Sequence, residues 1–93
     1  MAEITVSVAE RGDTYQCDVT LQEGRGKTQH SVTLERDDYE RLTGGIASPK
    51  ALVAESFRFL LEREPKESIL RSFDLTVISR YFPEYEREIK KRL

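Results

Sequence analysis

The chain holds one cysteine, Cys17, and one histidine, His30. They are the one combination that could supply a thiol nucleophile and its base. Such chemistry needs the imidazole within hydrogen-bond reach of the sulfur, at a place where substrate can arrive. Both residues lie in alternating segments, TYQCDVTL and TQHSVTL. The alternation projects both toward the same covered face, so contact across paired strands is open to them. Burial there excludes substrate and leaves a thiol inert. The pair therefore reads as structural, no catalytic residue is assigned, and the chain is not expected to be an enzyme.

Metal and phosphate chemistry have weaker support. One Cys and one His fall short of the usual zinc set. The acids of ERDDYE lack the alternate spacing and the glycine of a calcium loop, and read as the solvated first turn of a helix. EGRGK has two glycines but not the long phosphate-cradling loop with its Lys-Ser/Thr ending, and reads as a turn. Arg11-Gly12-Asp13 spells an adhesion tripeptide, which a hairpin turn explains better. No cofactor and no metal are expected.

Nucleic-acid binding needs a basic stripe, a reading helix or stacking aromatics. The candidates are Arg25 and Lys27 in one turn and Lys90, Lys91 and Arg92 at the end of the chain. The net charge is −2, so the molecule as a whole does not concentrate on polyanions. These cations support weak, salt-sensitive contact at most.

The elements that must carry these residues are legible in outline. EITVSVA, TYQCDVTL and TQHSVTL alternate, with Ile4, Val6, Val8, Tyr15, Cys17, Val19, Leu21, Val32 and Leu34 on the inner face. Short turns at Gly12-Asp13 and at QEGRGK predict an antiparallel meander over residues 1–34. Its other face is rich in Ser, Thr and Gln and suits water. Residues 35–93 read as helical. ERDDYERLTGG is a short helix closed by Gly44. Ser48 caps a helix with Pro49 at its first position, running to about residue 63. KESILRSF reads as a short helix or turn presenting Ile69, Leu70 and Phe73. Asp74 caps LTVISRYF, where the β-branched run weakens the helix. Pro83 starts the last helix, whose Phe82, Tyr85, Ile89 and Leu93 form an apolar stripe. Its acids precede its bases, as the helix dipole favours.

The helix from Pro49 has two apolar stripes. Val53, Ala54, Phe57, Leu60 and Leu61 share one face, and Leu52 and Phe59 form a second. Either the C-terminal helices cover the second stripe, or it is exposed and meets a partner.

The segment ESFRFLLEREPKESILRSFDLTVISRYFPEYE resembles a family of small uncharacterised bacterial proteins, with EPKESILRSFDL its most distinctive part. The resemblance implies a bacterial, cytoplasmic setting and brings no activity, ligand or functional residue with it. The order of three strands followed by a helix also resembles antitoxin-type modules, as an analogy of topology alone. No secretory leader and no apolar run of membrane-spanning length are evident in the sequence. The single cysteine suits a reducing compartment.

These observations predict one α+β domain over residues 1–93: a three-stranded antiparallel β-meander followed by four or five helices packed on one sheet face. The leading functional expectation is a small non-enzymatic protein–protein interaction module, able to pair with a partner protein or as a homodimer through Leu52 and Phe59. The alternative is a weak, salt-sensitive nucleic-acid binder using Arg25, Lys27, Lys90, Lys91 and Arg92.

Overall fold

A computed structural model describes residues 2–93. Three long strands, β1 (Glu3–Arg11), β2 (Thr14–Glu23) and β3 (Gly26–Glu35), form the meander. The helices α1 (Arg36–Thr43) and α2 (Pro49–Leu61) follow. A single 3-10 turn at Lys66–Ser68 leads to β4 (Ser72–Asp74), then to α3 (Val77–Tyr81) and α4 (Tyr85–Arg92). The sheet order is β1-β2-β3-β4. The first two pairings are antiparallel, and β4 lies parallel to β3.

Both hairpins turn on two residues, between Arg11 and Thr14 and between Glu23 and Gly26. Gly12 and Gly24 stand first in those turns, at φ 64° and 59°. A positive φ at that place matches the right-handed twist of the flanking strands, and glycine adopts it without a Cβ clash. The turns set the register. Val6 then faces Val19, Val8 faces Cys17, and Val32 faces Cys17 from the other side. One residue of slip would turn every inward side chain to water.

The sheet therefore has four strands where the sequence predicts three. Ser72–Asp74 pairs with Ser31–Thr33 after a crossover that includes α1 and α2. The backbone bonds Ser31 N to Arg71 O (2.7 Å) and Leu75 N to Thr33 O (2.9 Å) bracket it. Asp74 then turns the chain: one carboxylate oxygen accepts from the Thr76 N–H and the Thr76 hydroxyl. α3 lasts only five residues, as its β-branched start suggests. α4 begins at Tyr85, two residues later than Pro83, and α2 stops at Leu61, short of residue 63. Ser48 caps α2 as read, its hydroxyl accepting from Ala51 N at 3.0 Å. Gly44 closes α1 at φ 63°.

The core lies between the sheet and the helices. Val19, Leu21, Val32, Leu34, Val53, Phe57, Leu75, Tyr85 and Ile89 are all fully enclosed. α2 is the centre of the helical layer, packed against β1, β2, α1 and α4. Leu52 and Phe59 of its second stripe and Val53, Phe57 and Leu60 of its first are buried, with Ala54 and Leu61 half-buried at the margin.

Candidate functional site

Leu52 and Phe59 form no exposed patch. Both have zero solvent exposure in the single chain, and this corrects the expectation that they meet a partner. The cover is the chain's own C-terminal segment. The Phe59 ring stands edge-on to Tyr85 at 5.3 Å and to Phe82 at 5.8 Å between centroids. The Arg63 guanidinium lies 3.6 Å over its centre, with Arg92 farther out at 5.6 Å. Beside it, the Tyr85 hydroxyl donates to Ser56 Oγ (2.6 Å), and the Ser56 hydroxyl donates to the Leu52 carbonyl (2.7 Å). That carbonyl can only accept, which sets the direction of the whole chain.

Two of the five cations of the nucleic-acid reading have acidic neighbours on their own chain. Arg92 is tied to Glu62 at 2.7 Å, and Lys91 reaches Glu88 at 3.8 Å. Arg25 and Lys27 are exposed at the β2–β3 turn, and Lys90 is exposed on α4. Among the described residues these three form no ion pair. Lys66, not singled out in the sequence, is buried beside that turn with Glu67 at 2.7 Å and Glu23 at 3.9 Å.

Cys17 and His30 share the inner face, as their alternation requires, but sit out of step. Cys17 faces Val32, and His30 faces Val19. Burial pushes the Cys17 thiol up to about 11, and the nearby Asp18 charge acts in the same direction. The thiol is therefore protonated at neutral pH. His30 is buried against the Phe57 ring, 5.4 Å between centroids. Its Nδ1–H donates to the Leu70 carbonyl at 2.7 Å, so Nε2 of the neutral ring accepts from the Thr28 hydroxyl at 2.9 Å. Burial lowers the imidazole pKa, against the opposing effect of the Leu70 hydrogen bond. Both ring nitrogens are engaged, and the histidine fixes backbone.

The backbone it fixes borders an apolar concavity. A cleft of about 200 Å³ opens between the end of α2, residues 68–73 and α3. Leu60, Ile69, Phe73 and Ile78 make its apolar floor and walls. Two large apolar residues on its rim face water: Leu70 is 47% exposed and Tyr81 67%. Glu64 is the ionisable group in the lining apart from the Tyr81 phenol. Burial beside these apolar walls raises the Glu64 carboxyl pKa.

Three local features build this site. α2 runs out at Leu61, and the turn after it, with the Arg63 and Glu64 N–H groups both donating to Leu60 O at 2.9 Å, brings Glu64 back over the cleft. The exit of the 3-10 turn is extended at Ile69, with φ −75° and ψ 134°. Successive side chains in extended backbone point opposite ways, so Ile69 goes in and Leu70 goes out. α3 presents Ile78 inward and Tyr81 outward. The sequence reads KESILRSF as a helix or turn presenting Leu70 with Ile69 and Phe73; the extended exit at Ile69 turns Leu70 outward instead. Glu64 and Tyr81 had no readable signal, because their significance comes from a cleft assembled across three elements.

Among the described residues no group of His, Cys, Asp or Glu is arranged to hold a metal ion. Among the described residues no helix is long and apolar enough to cross a membrane. No family model matches the chain, and neither a curated protein nor a solved structure matches it.

Proposed function

We propose that this protein is a small non-enzymatic interaction module whose cleft seats an apolar side chain of a partner polypeptide. The observation that carries this reading is the pairing of a half-open apolar cleft with two exposed apolar rim residues, Leu70 and Tyr81. Large apolar side chains around a concavity are what partner anchors fill. Glu64 adds a chemical preference. A carboxyl lifted by desolvation becomes more acidic when a cation approaches, so a Lys or Arg beside the anchor is favoured. The partner motif is thus one Leu, Met or aromatic residue next to a base. The positions of Cys17 and His30 support the non-enzymatic part of the reading, since a protonated, enclosed thiol and a doubly hydrogen-bonded imidazole offer substrate nothing.

Selection from a random peptide library on the folded chain tests it. Enriched peptides should carry the apolar-plus-basic pair. Their binding should drop with Leu70→Ser and with Tyr81→Ser, and Glu64→Gln should remove the preference for the base. Peptides that bind all three variants as well as the parent would refute the assignment.

A further inference from the structure

The two edges of the sheet are unlike. At one edge β4 is three residues long. At the other, β1 runs for nine residues, Glu3–Arg11, paired on one side only and without a bulge in its register. Long exposed edges template pairing with another chain, and proteins blunt them with lysine, proline, bulges or shortness. β1 has no lysine and no proline, and its stretch from Ile4 to Ala9 is uncharged.

We propose that β1 pairs antiparallel with β1 of a second copy of this chain, with Ser7 on the twofold axis. The inference is independent of the cleft, which lies beside β4 at the opposite edge of the sheet.

The register follows from the hairpin. A two-residue turn is closed by a hydrogen-bonded pair, here Arg11 with Thr14. Alternation then directs the backbone groups of Arg11, Ala9, Ser7, Thr5 and Glu3 toward β2. Those of Ile4, Val6, Val8 and Glu10 point to the open edge. A partner strand must bond to these even-numbered residues. With Ser7 opposite Ser7 of the second copy, Val6 bonds to Val8 and Ile4 to Glu10, each pair exchanging two hydrogen bonds. Side chains also match by face. On the open face Glu3 falls opposite Arg11 at both ends of the pairing, and Thr5 opposite Ala9. On the helical face Val6 meets Val8 at the centre. Glu10 stays at the rim, where Arg36 already reaches it at 3.6 Å. Moving the axis to Val6 or Val8 breaks the Glu3–Arg11 match, so charge selects this register.

Side chains beyond the strand add to the surface. A broad trough flanks β1 on the helical side, with Ile4, Val6, Ala51, Ala54 and Leu93 in its lining. Ile46 stands at the same trough and is 81% exposed. The twofold axis brings the troughs of both copies together and covers the parts of Ile4 and Val8 that one chain leaves open.

Sedimentation equilibrium on the full chain, with cysteine cross-linking, tests this. A concentration-dependent dimer is expected. Ser7 is exposed, so Ser7→Lys leaves the fold intact, which thermal unfolding by circular dichroism checks, and sets two ammonium groups face to face. The dissociation constant of the dimer should rise, by up to about fivefold. Glu3→Arg should weaken the dimer, and Glu3→Arg with Arg11→Glu should restore it. Ser7 would be a non-hydrogen-bonded pair, with Cα atoms about 4.5 Å apart, inside the disulfide range. Ser7→Cys should therefore cross-link quickly with oxidised glutathione, the two thiols giving up two protons and two electrons to form one disulfide and two reduced glutathiones. Thr5→Cys and Ala9→Cys should lag. A monomer throughout, a dimer indifferent to Ser7→Lys, or equal cross-linking at all three positions would overturn the proposal. Peptide binding at the cleft should survive Ser7→Lys, so the two readings fail separately.

Discussion

Phe59→Ala separates a core residue from an interface residue. Phe59 is fully enclosed, so truncation removes its transfer energy and leaves a cavity, together about 3–5 kcal/mol. Its two edge-on aromatic contacts, with Tyr85 and Phe82, are worth about 0.5–1.5 kcal/mol each beyond burial, which places the loss toward the upper end of that range. The Arg63 guanidinium would also lose the ring it covers. A chain of 93 residues has a total stability of about 5–14 kcal/mol. The variant should thus lose a third or more of its stability, while Phe59→Asp, which buries a carboxylate, should not fold. Urea unfolding at neutral pH is the assay, with an unchanged m-value as the sign that both chains unfold alike. Tyr81→Ala is the control, because its exposed ring predicts a change within about 0.5 kcal/mol. A Phe59→Ala loss below about 1 kcal/mol would show that the ring is not covered by Phe82 and Tyr85, and the packing argument would fail with it.

Tyr85→Phe removes the hydroxyl that donates to Ser56 and should cost about 0.5–1.5 kcal/mol in the same urea assay. A neutral result would mean that the hydrogen-bonded chain through Ser56 to Leu52 does not hold α4 on α2. Cys17 should react with a thiol reagent only through opening of the fold, so its rate should climb with urea; fast labelling of the native chain would contradict its burial. The raised thiol pKa means that its contribution to stability is complete below the ordinary 9.0 and is lost as pH rises through about 11. His30 behaves in the opposite sense. Its folded pKa is lowered, so the unfolded chain takes up the proton first. Stability should be full above about pH 6.5 and fall as pH drops below it, and His30→Gln should flatten that slope. An unchanged slope in His30→Gln would assign the acid sensitivity to carboxylates instead.

The meander and the caps of α1 and α2 were legible because local chemistry specifies them. Alternation of period two, a glycine at the first turn position and a serine before a proline each act within a few residues. β4 was not legible, because Ser-Phe-Asp is too short to show a period and becomes a strand only by lying against Ser31–Thr33, some forty residues earlier. The misplacement of Leu52 and Phe59 has a different origin. Periodicity shows that a helix has two apolar stripes and is silent on what covers each. Yet the sequence holds a second unmatched stripe, Phe82, Tyr85 and Ile89, and Tyr85 and Ile89 are as fully buried as Leu52 and Phe59. Each stripe is the other's cover. A short chain with two orphan apolar stripes on separate helices satisfies both at once by packing them together, without a partner and without exposing either to water. The same reasoning points outward where it cannot be satisfied internally. No element of the described chain stands ready to cover the rim of the cleft at Leu70 and Tyr81 or the open edge of β1, and those are the surfaces on which another polypeptide, or another copy, has something to gain.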